Sequence, residues 1–340
     1  MKSYKNIDLG QGQPDFTPPP KTFLGLDRTK VSRYGAVQGN STLREKIASK
    51  LIKKKTLDSD NVLITNGASE ALNLAVRLLT PGSEILITCP YYYYYWHLIQ
   101  KSFMRAKLIK LNDYRLNISD FNEKIEGCKA VILNNPSNPT GVVESGSTVR
   151  EVARICSERN VLLVYDEVYS DFIYRGRRTK LFGDNIISIN SFSKTFSLCG
   201  ERVGYAYSKN PGIIDKLTVL KQYTSRGTST LAQKAALNAL DSSKHYFTKI
   251  LHIYKKRRDL ICKGLRSLDL EFPYPEGAFY VFPRVGDGTK TQKVLKNRYG
   301  LDVIDGKIFG FPENIRISYT REESALAEAI DRLSAFINSK

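Results

Sequence analysis

An alternation of short apolar runs with longer amphipathic stretches, beginning near residue 62 and continuing past residue 205, limits the fold more than any other feature. Val62-Leu63-Ile64-Thr65 reads as a buried strand, and Asn66-Gly67-Ala68-Ser69 leads into an apolar-periodic helix reaching about Leu79. Pro81-Gly82 breaks that helix ahead of a second strand, Glu84 to Thr88. Ala130 to Leu133, Val161 to Tyr165, Ile186 to Ile189 and Val203 to Tyr207 repeat the pattern, with helical stretches such as Ser147 to Arg159 between them. Strands with no polar face, joined by helices, belong in a mostly parallel sheet, because helical crossovers cover both of its faces. The predicted class is therefore α/β, with a mostly parallel central sheet and helices on both faces. After about residue 245 long helices mix with a few strands, including Ala278 to Phe282 and Asn314 to Tyr319, which predicts a smaller α+β domain. The expected division is an N-terminal arm over 1–35 joining the small domain, a large domain over 36–245 and a small C-terminal domain over 246–340.

Composition excludes several classes. No run reaches the roughly 18 uninterrupted apolar residues that span a bilayer, so no membrane partner is expected. The polar start, Met1-Lys2-Ser3-Tyr4, predicts no cleaved signal peptide. Cys89, Cys128, Cys156, Cys199 and Cys262 are scattered without a Cys-x-x-Cys pair, which suits a reducing cytoplasm and predicts neither a zinc site nor a disulfide framework. The net charge of +18, from 52 basic and 34 acidic residues, raises nucleic acid as a partner. The basic residues are spread out, however, and no helix-turn-helix, zinc or RNA-recognition signature accompanies them. A lysine-rich solvated surface with a site for anionic ligands is the expectation, with no nucleic acid.

In open α/β sheets ligands sit outside the carboxyl ends of the strands, so polar residues just after strands are the candidates. Asn134-Asn135-Pro136-Ser137-Asn138-Pro139-Thr140-Gly141 follows one strand, and Asp166-Glu167-Val168-Tyr169 follows a second. Ser191-Phe192-Ser193-Lys194 follows a third and runs on to Gly200-Glu201-Arg202-Val203-Gly204. Taken alone, Lys194 reads as a surface lysine, Asn138 as a turn residue and Gly67-Ala68-Ser69 as an ordinary helix start. Lys194 nonetheless lies in a Ser- and aromatic-rich turn after a buried strand, where an uncommitted ammonium is costly. Asp166 ends a strand of apolar and aromatic residues, so its carboxylate needs a positive partner or must protonate. The Gly67-Ala68-Ser69 helix start offers free N–H groups to an anion, Ser191 and Ser193 offer hydroxyls, and Arg202 offers a bidentate fork.

In this order, and after strands, these segments resemble the class I/II aminotransferases, fold-type I pyridoxal-phosphate enzymes. The resemblance runs from Gly12-Gln13-Pro14-Asp15-Phe16 to Arg316. It implies pyridoxal 5'-phosphate bound to Lys194 as a Schiff base, with Asp166 on the pyridinium nitrogen and Tyr169 and Asn138 on the 3-oxygen. Gly67, Ala68, Ser69, Ser191, Ser193 and Arg202 would hold the phosphate, and 36–245 would be the cofactor-binding domain. Tyr92, two residues after Pro90, falls where relatives stack an aromatic on the ring, although the run Tyr91 to Tyr95 leaves that register open. Arg316 is assigned to the substrate α-carboxylate, with Gly12 approaching the same group. Tyr34 would reach the phosphate of a neighbouring subunit, which implies a homodimer with shared sites.

The activity implied is a ping-pong exchange of amino groups between an L-amino acid (aspartate, aromatic or similar) and a 2-oxo acid, with alanine and histidinol-phosphate also open as substrates. Some bacterial aspartate aminotransferases place a lysine where this chain has Ser69; Arg226 is a substitute for it or a surface arginine. Phe279 borders the substrate or belongs to the core. The same cofactor residues serve carbon–sulfur lyases and phospho-amino-acid decarboxylases, so they leave open which bond breaks. A cofactor-sensing regulator would need a DNA-binding module, for which the chain has no residues to spare.

Overall fold

The computed structural model describes residues 4–25, 33–52, 57–241 and 244–339. After a short first strand, β1 (Ile7–Asp8), seven strands form the central sheet: β2 (Val62–Thr65), β3 (Glu84–Cys89), β4 (Arg105–Lys110), β5 (Cys128–Asn134), β6 (Leu162–Asp166), β7 (Ile186–Ser191) and β8 (Gly204–Tyr207). Their order is β2-β8-β7-β6-β5-β3-β4. Pairing is parallel from β4 to β7, and β8 runs antiparallel to both β7 and β2.

Alternate residues of the buried strands feed cores on opposite faces, which is why these strands read as continuous apolar runs. Ile87, Ile132, Val164 and Ile189 pack on one face beneath helices α1 (Gly67–Val76) and α2 (Tyr93–Lys101). Leu86, Val131, Leu163 and Ile186 pack on the other beneath α3 (Gly146–Glu158). A four-residue helix, α4 (Phe192–Thr195), follows β7 directly.

Towards the C-terminus lie α5 (Lys244–Arg266), the strand β9 (Tyr280–Val281), α6 (Gly288–Tyr299), the strands β10 (Leu301–Asp302), β11 (Ile304–Asp305) and β12 (Ile315–Ser318), and α7 (Glu323–Ile337). β12 lies between β11 and β9 in an antiparallel sheet, and β1 pairs in parallel with β10. Ile7 and Leu9 share one apolar cluster with Tyr254, Leu301 and Leu333, and the same cluster takes in Val168 and Tyr169 from the loop after β6. That loop ties the central sheet to the C-terminal elements.

Two expectations about elements need correction, and one strand was not expected. The helix predicted to reach Leu79 ends at Val76, where tighter three-residue bonds take over, Leu78 N–H to Ala75 O and Leu79 N–H to Val76 O. The strand predicted over Ala278 to Phe282 shrinks to Tyr280–Val281, because Ala278 takes a left-handed conformation with φ 53° and Pro283 lacks an N–H. β4 is an edge strand of mixed charge and partial exposure, and so carries no buried-run signal.

Candidate active site

The carboxyl ends of β5, β6 and β7 open onto a cavity of about 290 Å³. Asn134 and Asp166 are the last residues of their strands, and Ser191 is the last residue of its own. The cavity gathers Gly12, Ala68, Ser69, Tyr92, Asn138, Asp166, Tyr169, Ser191, Ser193, Lys194, Arg202 and Arg316, candidates drawn from widely separated parts of the chain.

One end is built for an anion. The N-cap residue of α1, Asn66, makes no side-chain cap, and its own N–H groups bond to Glu70 Oε2 at 2.6 and 3.2 Å. The first-turn N–H groups of α1 therefore keep their capacity for an outside acceptor. α3, by contrast, is capped by the side chain of Ser145. Glu70 is held in turn by Lys221, whose Nζ lies 2.6 Å away. Gly67 has φ 72°, and a Cβ there would lie 2.5 Å from Arg202 Nη2. A Cβ on Gly204 would lie 2.6 Å from the Gly67 carbonyl carbon, so the bare backbones of both glycines let α1 and the arginine close together. Ser191 Oγ accepts the Ser193 N–H at 3.1 Å and donates to Val203 O at 3.1 Å, capping α4 and setting both serines beside Lys194.

Asp166 forms the floor. It is 4% exposed, and no cation pairs with it among the described residues. Tyr95 donates to Oδ2 at 2.5 Å and the Val168 N–H donates to Oδ1 at 3.1 Å. Burial raises its pKa to about 6 against the lowering effect of these bonds. The Lys194 ammonium donates to Gly12 O at 2.5 Å and lies 5.9 Å from the centre of the Phe279 ring.

The far end holds Arg316, which is 5% exposed. Nη1 donates to Asn138 Oδ1 at 3.0 Å and Nη2 donates to Gly10 O at 2.6 Å, while the buried Nε has no partner. A buried guanidinium that lines a cavity and keeps an N–H without a partner suits a carboxylate. Tyr169 lies beside it, with its hydroxyl 2.9 Å from that of Tyr280 and its pKa held well above the usual range by burial first and by Tyr280 second. Tyr92, the N-cap residue of α2, is also pushed up by burial.

Two candidates lie elsewhere. Tyr34 is 89% exposed and stacks under the Arg226 guanidinium at 5.3 Å, in a separate surface recess shared with Ser225 and Thr230. Phe279 is fully buried in the C-terminal core. Sequence reasoning missed Tyr95 and Tyr280, both of which line the cavity. Helical periodicity contained a signal for the first, since a helix opening at Tyr93 brings Tyr92 and Tyr95 onto one face.

The chain matches the family described as "Aminotransferase class I and II" over residues 4–333. It is 35% identical to a probable aspartate aminotransferase of Methanocaldococcus jannaschii, over 95% of this chain and 91% of the relative. Its fold superimposes on the aspartate aminotransferase of Thermus thermophilus solved with maleate, with a TM-score of 0.92 and 26% identity, over 97% of this chain and 91% of that one. The aromatic aminotransferase of Pyrococcus horikoshii gives a TM-score of 0.92 at 29% identity, over 98% and 96%.

Proposed function

Since the chain belongs to the class I and II aminotransferases, we propose that it holds pyridoxal 5'-phosphate on Lys194 and moves amino groups between an L-amino acid, aspartate or aromatic, and a 2-oxo acid. The observation that carries this reading is the pairing, in one cavity, of the Lys194 amine with the buried Arg316, whose Nε–H is unspent. The donor set fits the cofactor. The uncapped first turn of α1, Arg202, Ser191 and Ser193 would take the phosphate, and the cationless Asp166 would take the protonated ring nitrogen. Tyr169 and Asn138 would bond the ring oxygen, and Tyr92 would cover the ring. When bound, pyridoxal phosphate supplies an electron sink for the pair released at the amino acid's Cα.

The chain's own groups do the rest. Arg316 fixes the α-carboxylate, so the Cα–H is presented to Lys194 rather than turned into solvent. Lys194 Nζ takes that proton and returns it, an acid–base task for an amine held on a short rigid helix. Gly12 lies against the same region, where a larger residue would strike Tyr280. We assign Tyr34 to the phosphate site of a second copy in a homodimer, and Arg226 beside it to the distal group of that copy's substrate; the recess that both line is exposed and apart from this copy's own cavity. Five unpaired thiols fit a reducing cytoplasm.

Lys194→Ala is the direct test. It is expected to remove both turnover and the cofactor's visible band at roughly 400–430 nm. Persistence of the band in the variant would defeat the assignment. A panel of amino donors against 2-oxoglutarate then fixes the substrate, with keto-acid and new amino-acid product in equal amounts. Release of ammonia or carbon dioxide instead would mark a lyase or a decarboxylase.

A further inference from the structure

Tyr280 touches three of the groups on which this reading depends. Its hydroxyl lies 2.9 Å from that of Tyr169. Its ring centre lies 4.4 Å from the Arg316 guanidinium, and that of Phe309 lies 5.1 Å from the same group. Its oxygen also occupies the space a side chain on Gly12 would need, 1.9 Å from where that Cβ would sit. We propose that Tyr280 is a positioning residue that aims the Tyr169 proton into the cavity and holds the Arg316 plane for a carboxylate. This rests on the pyridoxal-phosphate reading above and deepens it.

Counting protons gives the direction of the bond. A phenol carries one proton, and burial disfavours the charged form of Tyr169. If Tyr169 donates into the cavity, the proton between the two phenols must come from Tyr280. Among the described residues no other side chain bonds the Tyr280 hydroxyl. The result is a directed chain from Tyr280 to Tyr169 to the ligand oxygen, in which each bond polarises the next. The ring does a separate job. With both the Tyr280 and Phe309 rings against it, the Arg316 guanidinium has little freedom to tilt, so its two Nη groups stay on Asn138 and Gly10.

Two substitutions separate these roles. Tyr280→Phe keeps the ring and deletes the hydroxyl; Tyr280→Leu deletes both. In the holoenzyme, Tyr280→Phe is expected to raise the pH midpoint of the bound cofactor's visible absorbance change by roughly half a unit, because the deprotonated ring oxygen loses support. The same substitution in a Tyr169→Phe background should leave the midpoint where Tyr169→Phe alone puts it. Binding of maleate as a carboxylate probe should stay within about twofold in Tyr280→Phe and weaken about three- to tenfold in Tyr280→Leu, the scale of a desolvated cation–ring contact. An unchanged midpoint in Tyr280→Phe, or an equal shift in both backgrounds, overturns the hydrogen-bond role. Unchanged maleate binding in Tyr280→Leu overturns the ring's role. A general loss of packing would move both backgrounds alike, so the cycle excludes it. Absence of any visible cofactor band in the wild-type protein overturns the cofactor reading itself, and this inference with it, whereas a band that does not titrate overturns the hydrogen-bond role alone.

Discussion

Asp166, the last residue of β6, and Glu167, which follows it, are both buried, yet their surroundings are opposite. Glu167 receives Arg178 through Nε at 3.1 Å and Nη2 at 2.8 Å, and the Tyr207 hydroxyl at 2.9 Å. Asp166 receives one phenol and one backbone N–H but no cation, and burial raises its pKa to about 6. The fold pairs one carboxylate with an arginine and leaves its neighbour with hydrogen bonds but no cation in contact. A buried charge without a counter-charge inside a cavity is a cost that a ligand can remove. The first carboxylate is structural; the second is suited to binding.

Breaking the structural side should have the largest effect. Arg178→Met leaves Glu167 buried beside no arginine and should destabilise the cofactor-free fold by about 3–5 kcal/mol, read from chemical denaturation. Adding Glu167→Gln should recover part of that loss, and failure to recover any would show that Arg178 acts through packing.

Asp166→Asn should go the other way in cofactor-free protein. The folded pKa of about 6 lies above the ordinary aspartate value of 3.8, so ionisation opposes folding; the cost is complete above pH 6 and disappears as pH falls towards 4. The variant should gain on the order of 2 kcal/mol at pH 7 and nothing near pH 4. Its affinity for pyridoxal phosphate should fall, and the loss of wild-type affinity below about pH 6 should vanish in it. A variant less stable at pH 7 would contradict the contrast with Glu167.

Tyr95→Phe should give the smallest change. Removing one donor from a carboxylate that keeps the Val168 N–H should weaken cofactor affinity about fivefold, near 1 kcal/mol. Equilibrium titration of the cofactor-free variant measures this, and the effect should be absent in an Asp166→Asn background if Tyr95 works through Asp166.

The sheet strands were legible because each buries both faces, and the candidates Asp166, Ser191 and Lys194 were legible because they follow such strands directly. β4 was not, since an exposed edge needs no apolar run. Tyr95 and Tyr280 were hidden for a different reason. Their value lies in contacts 71 and 111 residues away, and nothing local distinguishes them from core tyrosines. Ala278, with its left-handed backbone, ended a strand whose composition predicted a longer one.

The parallel pairing of Ile7 with Leu301 has a consequence for how the protein is made. Gly10 and Gly12 reach Arg316 and Lys194 across separations of 306 and 182 residues. At about 5–20 residues per second, a ribosome releases the first segment roughly 15 to 60 s before its last partner exists. The end proposed for the anion has all its residues from this copy once Lys221 has emerged, and can be built while translation continues. The carboxylate end must wait for the finishing residues, so a nascent chain has half a pocket before it has a whole one.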